Sequence, residues 1–193
     1  MRANYLIAVL AFAACASSVD AKVLQSTSYS YFKVQGQTPR EIYVSLLKHA
    51  KGPGGHDAYA TTTTRIYQKT SFAVGKTCSF TNYRITGAFK ITLPKLVGAG
   101  ATSAATKQSW AGFANVLKRH EEHHRDLWMA CVRNFEVQVR NMSAKSCGQL
   151  GSNFKKLWKA MQKNCDAQNS AFDKKEKLNF LRQPFIQMVL RGR

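Results

Sequence analysis

Between Trp110 and Phe135 a set of residues recurs in steps of three and four: Trp110, Phe113, Leu117, His120, His124, Leu127, Cys131 and Phe135. Only an α-helix places residues at that spacing on one face, so this segment is a long amphipathic helix packed along one side. Two members of the stripe are histidines, which the pattern turns inward. The helix is expected to end near Met142, with Ser143 to Gly148 as a short connection. A second helix then carries Leu150, Phe154, Leu157, Trp158, Met161, Cys165 and Phe172 as its apolar positions. Two helices joined so closely pack antiparallel.

Ahead of the small-residue stretch Gly98–Ser103 the period is nearer two. Ser26–Val34 is rich in aromatic and hydroxyl residues and predicts a strand. Thr38-Pro39-Arg40-Glu41 predicts a helix start, with a capping hydroxyl, Pro at the first position and Glu three residues after the cap; the helix runs to about His49. Tyr59–Phe72 and Thr77–Leu93 are dense in Thr, Tyr, Phe and Ile, the second alternating with a period near two; they predict antiparallel strands around a turn at Ala73–Lys76, and Pro94 closes the second of them. The fold class expected is α+β: a small antiparallel sheet with one short helix, followed by a long antiparallel helical hairpin. Residues 22–193 are expected to form a single domain, with 22–97 mainly strands and 103–185 mainly helices.

Residues 1–21 are set aside as a signal peptide. Arg2 precedes the apolar run Tyr5–Ala14, too short for a permanent membrane span, and Val19-Asp20-Ala21 offers small residues at the positions before a cleavage. Ala13-Ala14-Cys15 also fits the end of a lipobox, although Phe12 stands where Leu is usual, so a lipoprotein through Cys15 is the lesser alternative. The protein is thus expected to be exported, periplasmic or secreted, without a transmembrane helix.

Four cysteines remain: Cys78, Cys131, Cys147 and Cys165. An even number in an exported chain argues for two disulfides. Cys147 and Cys165 share a helix and stand about 27 Å apart along it, beyond the reach of a bridge. Antiparallel helices set Cys131 opposite Cys165, leaving Cys147 for Cys78. The net charge of +19 arises from 29 basic against 10 acidic residues. In an exported protein that excess suits anionic envelope polymers, lipid headgroups or acidic substrates, and makes nucleic acid an unlikely partner.

The inward stripe carries the run His120-Glu121-Glu122-His123-His124. His-Glu-x-x-His on a helix places two imidazoles one turn apart, the spacing at which both reach one zinc ion, with Glu121 beside them as a general base. Glu122 points to the opposite face and His123 to a flank. A hydrolytic zinc site needs a third protein ligand and an open position for water. Antiparallel packing brings Asp173 and Glu176 nearest, while His49 and His56 are the candidates from the N-terminal half.

The segment Trp110-x-x-Phe113-x-x-x-Leu117-x-x-His120-Glu121-x-x-His124 resembles the core motif of a bacterial family of predicted secreted zinc-dependent proteases, a domain of unknown function. The strand with Tyr31-Phe32 and Gly36, the Thr38-Pro39-x-Glu41 helix start, Ile91-Thr92-Leu93-Pro94 and Cys147 extend the likeness over most of the mature chain. The resemblance implies a signal peptide, an α+β domain, and one zinc ion bound through His120 and His124 with Glu121 as base. The chain departs from the family in its last helix. The pattern Tyr-Asp-x-x-Thr-x-His-Gly is matched by Phe172-Asp173-Lys174-Lys175-Glu176-Lys177-Leu178-Asn179, so Leu178 replaces a His that Glu176 would have to stand in for.

The function expected is that of an exported zinc-dependent metallopeptidase acting on a peptide or protein substrate. The rival is a non-catalytic, basic, metal-binding envelope protein that holds anionic polymers.

Overall fold

The computed structural model describes residues 20–50 and 58–192. Most of the expected signal peptide, Cys15 and His56 lie outside the described residues. The order of elements is β1 (Asp20–Val34), α1 (Pro39–His49), β2 (Thr61–Val74), β3 (Cys78–Leu96), α2 (Ala104–Arg140), β4 (Ser143–Ala144), α3 (Cys147–Leu181) and α4 (Pro184–Arg191). The architecture is α+β.

Local chemistry sets the helix starts. Thr38 and Glu41 form a capping box: Thr38 Oγ1 accepts from the Glu41 amide at 3.2 Å, and Glu41 Oε2 accepts from the Thr38 amide at 3.4 Å. Ser103 caps α2 through the Thr106 amide, and Ser146 caps α3 through the Gln149 amide, both at 3.2 Å. No described helix is long and apolar enough to cross a membrane.

The sheet corrects the antiparallel expectation. Its order is β1-β3-β2, with β4 added beside β3; β2 and β3 form an antiparallel hairpin, but β1 runs parallel to β3. Alternation fixes which face a side chain takes and is silent about direction. Val34 at the end of β1 and Thr61 at the start of β2 lie at the same end of the sheet, opposite Leu96 and Thr92. The α1 connection therefore crosses that end and leaves a gap, and β3 returns through the gap in the direction of β1.

Along most of the sheet the packing is on one face; only at the Val34 end, beside α1, are residues of the other alternation (Val34, Pro94) also buried. Tyr83, Ile85, Phe89, Ile91 and Leu93 of β3 are buried beneath the helices, while Arg84 and Lys90 between them are exposed. Gly87 sits where α2 crosses closest, since a Cβ there would meet Met129 Sδ at 2.8 Å. Two apolar clusters result. One gathers Val34, Ile42, Leu46, Leu93, Trp110, Phe113 and Leu117, sealed by Phe185 of α4, whose ring lies 5.1 Å from Trp110. The other gathers Phe80, Tyr83, Val132, Phe135, Val139, Leu150 and Phe154. The segment of α2 from His120 to His124 spans the interval between them.

The most buried line of α2 runs Trp110, Phe113, Leu117, Glu121, Met129, Val132, Phe135, Val139. It passes through Glu121, whereas the expected stripe passed through the two histidines. The reason is that α2 has two neighbours: its buried line faces the sheet, and the adjacent line, with His120 and His124, faces α3.

Cys78 and Cys147 form a disulfide with Cα atoms 5.1 Å apart, tying the start of β3 to the start of α3. A disulfide fits an exported protein. The second expected bridge is corrected: Cys131 and Cys165 are free, buried thiols. Cys165 Sγ donates to Met161 Sδ at 3.4 Å, and burial, with Cys131 beside it, pushes the Cys165 thiol far above its usual range. That surrounding favours the neutral S–H, which is inert.

Candidate metal centre

One turn of α2 faces one turn of α3. His120 and His124 stand four residues apart on α2, Asn169 and Asp173 four apart on α3, and the antiparallel packing sets His124 against Asn169 and His120 against Asp173. Three atoms converge. His120 Nε2 and His124 Nε2 are 3.0 Å apart, and Asp173 Oδ1 lies 3.1 Å from the first and 2.9 Å from the second.

The protonation of this triangle follows from its neighbours. Asn169 Nδ2 donates to the Cys165 carbonyl at 2.8 Å, which orients the amide so that Oδ1 faces His124. Asn169 Oδ1 can only accept, so His124 Nδ1 carries the hydrogen across their 2.7 Å contact. The Nε2 of neutral His124 is then a bare lone pair aimed at a carboxylate oxygen and at a second imidazole. With the His120 hydrogen on Nδ1, Nε2 of His120 is a third acceptor, and that tautomer leaves a place among the three atoms for a cation; with the hydrogen on Nε2, His120 donates to His124 or Asp173 instead. Burial first, and then His124, hold His120 below the usual histidine pKa, and Asp173 offsets this only in part.

A divalent ion is the alternative, and the donor set fits it. Tetrahedral zinc with bonds near 2.0–2.1 Å spaces its ligand atoms about 3.4 Å apart, a few tenths of an ångström more than the triangle here. The Asp173 side chain is 56% exposed, so the triangle is open to solvent on one side, as a hydrolytic site requires. His124 also has the supporting contact usual for a ligating histidine, through Asn169. His120 lacks one among the described residues: its buried Nδ1 has no hydrogen-bond partner there, and its ring lies between Phe172, stacked at 4.7 Å, and Phe180, edge-on at 4.8 Å.

Glu121 is buried against β2. Thr62 Oγ1 donates to Glu121 Oε2 at 2.8 Å and is also within 3.0 Å of the Glu121 carbonyl; among the described residues Oε1 accepts nothing. Burial raises the Glu121 pKa, opposed by the Thr62 hydrogen bond and the nearby His124. A carboxylate drawn up toward neutrality, with one oxygen anchored and one free, is suited to taking a proton from water.

The other sequence candidates separate cleanly. Of the two acidic candidates for a third ligand, Asp173 joins the histidines, while Glu176 accepts from Asn179 Nδ2 at 2.8 Å on its own helix. Leu178, at the position where a His was expected, is 61% exposed. His49 packs on Phe32 and is apart from the centre. His123 lies over Phe172, and Glu122 accepts from Tyr29 Oη at 2.6 Å, joining α2 to β1. An open cavity of about 420 Å³ adjoins the triangle, lined by Arg119, His120, His123, Phe172, Glu176 and Arg182 among others.

Sequence reasoning passed over Thr62, Asn169 and Phe180. Asn169 had a signal, because it stands one turn before Asp173 and repeats the spacing of the two histidines. Thr62 and Phe180 had none, since each reaches the centre only through tertiary packing.

A family model described as a bacterial protein of unknown function (DUF922) matches residues 29–179. That span is most of the chain and runs from within β1 almost to the end of α3. The chain belongs to this family. The matched stretch contains Thr62, His120, Glu121, His124, Asn169 and Asp173, so the centre lies wholly in the family's domain; α4, which seals one apolar cluster, lies beyond it. A search of curated proteins and a search of solved structures both gave no match.

Proposed function

We propose that this chain is an exported zinc-dependent metallopeptidase, with His120, His124 and Asp173 as its protein ligands and Glu121 as its general base. The observation that carries this reading is the convergence of three ligand-capable atoms, His120 Nε2, His124 Nε2 and Asp173 Oδ1, beside a buried carboxyl with one free oxygen. A purely structural metal site has no use for such a base.

When bound, zinc supplies a Lewis acid that lowers the pKa of a water toward neutrality and polarises a scissile carbonyl. The chain's own residues do the rest. Asn169 holds the His124 tautomer that exposes Nε2. Thr62 anchors Glu121, whose free oxygen accepts the proton from the attacking water and delivers it to the amine nitrogen as the C–N bond breaks. Phe172 and Phe180 exclude water from the His120 ring. The cavity beside His120 receives the substrate segment next to the scissile bond, and Arg119 and Arg182 on its walls suit it to a backbone carbonyl or a carboxylate.

Metal analysis of the purified mature protein tests the reading. About one zinc per chain is expected. A zinc content below about 0.2 per chain, unaltered by His120→Ala, overturns it. With zinc bound, Glu121→Gln should retain the ion and abolish peptide hydrolysis; activity surviving that change refutes the role of Glu121.

A further inference from the structure

The face of the sheet turned away from the helices carries a row of exposed cations. The register places Lys22 and Lys69 on either side of Arg84, a row of three cations across three adjacent strands. Neighbouring strands are about 4.8 Å apart, so the row is only about 10 Å wide. Arg65 follows beside Ala88, and Lys90 lies between Ser28 and Thr63, which carries the positive strip about 20 Å along β3. All five cations are exposed, and none has an ion-pair partner among the described residues. Asp20 is the single acidic residue in these three strands, and it lies on the leader side of the expected cleavage after Ala21.

Like charges directly opposite one another in a sheet are destabilising, and this arrangement repeats the penalty across two strand pairs. An anion laid over the row removes it. The charges form a strip and not a pocket, so the complementary ligand is a chain carrying repeated anionic groups. Between the cations stand the hydroxyls of Ser26, Thr63 and Thr86, none hydrogen-bonded within the described residues. Tyr67 is the one exposed aromatic ring on this face. Bases of a single-stranded nucleic acid would need a series of stacking rings, and a bilayer would need an apolar wedge. Hydroxyls interleaved with cations suit sugar hydroxyls and acidic groups together.

We propose that the open face of the sheet binds an anionic polysaccharide, one bearing carboxylate or phosphate groups along its length. This surface is independent of the metal centre, which lies on the other side of the sheet, and it stands whether or not that centre is catalytic.

The test is titration of the mature protein at low ionic strength with polygalacturonate, neutral pullulan, an oligo-dT strand and phosphatidylglycerol vesicles. Two variants remove the same charge: Lys69→Thr/Arg84→Thr on the open face, and Lys156→Gln/Lys163→Gln on the exposed side of α3. Thermal unfolding checks that each is folded. Polygalacturonate is expected to bind and pullulan not to bind; the sheet variant weakens binding by about tenfold or more and flattens its logarithmic salt dependence by about two counterions, with the α3 variant changing it less than about threefold. Equal weakening by both variants, tighter binding of oligo-dT or of vesicles, or no binding of polygalacturonate overturns the proposal.

Discussion

Unbalanced charge occurs in two regions of this molecule, one enclosed and one open. Between α2 and α3, two imidazole nitrogens and a carboxylate oxygen face one another across about 3 Å, the histidine side chains only 9% and 13% exposed. On the far side of the sheet, five cations share a strip with no described carboxylate among them. Water and salt reach the second region and screen it, so the protein tolerates it empty at a modest cost. They reach the first only from the side of Asp173, and the two imidazoles behind it are largely shielded. An enclosed group of ligand atoms suits a single ion by its geometry; an exposed strip of charge suits an extended polymer by its charge density. The same sheet separates the two, burying one face of β3 and presenting the other.

The sharpest way to break the comparison is at the enclosed side. His124→Ala removes one corner of the triangle and should reduce bound zinc from about one to below about 0.2 per chain, read by elemental analysis. Glu121→Gln should leave the metal in place and lower the rate of peptide hydrolysis by about 10²-fold to 10⁴-fold. Cys78→Ser opens the link between β3 and α3 and should cost about 2–5 kcal/mol in urea unfolding, with the loss reproduced by reductant on the unaltered protein.

The pH dependence of the metal-free protein comes next. Burial raises the folded-state pKa of Glu121 above its unfolded value, so its contribution to stability is fully present below the ordinary carboxylate range and is lost as pH rises through the raised value. Stability of the apo-protein should therefore fall over that interval relative to Glu121→Gln, which lacks the ionisation. Parallel pH profiles for the two proteins would refute the burial argument. The smallest effect belongs to the open face: Lys69→Thr/Arg84→Thr should raise stability by about 0.2–1 kcal/mol at low salt, and the gain should vanish at high salt. A loss of stability would mean that these side chains do more than repel.

Much of the scaffold was legible because its signals are local. Thr38 with Glu41 and the change of period across the small-residue stretch Gly98–Ser103 are readable from neighbours in the chain, and they mark where elements begin and end. Strand direction was not legible. Alternation in β1 and β3 is the same for parallel and antiparallel neighbours, and only the crossing made by α1 leaves the gap that β3 fills. The buried line of α2 was misplaced for a related reason: a helix with two partners has two inward faces, and periodicity alone does not say which faces the sheet. The Cys131 and Cys165 pair was rightly set in one layer, yet neighbouring thiols need not be bonded: both are free, and Cys165 also contacts Met161 on its own helix.

By itself, the order of residues determined that His120 and His124 share a helical face one turn apart, that Glu121 lies beside them, and that four cysteines follow the expected leader. These follow from the pitch of a helix and from composition. Tertiary structure decided that Asp173, and not Glu176, completes the triangle, that Thr62 anchors Glu121, and that Lys22, Arg84 and Lys69 stand in one row. Each of these joins residues far apart in the chain, and only the register between packed elements brings them within reach.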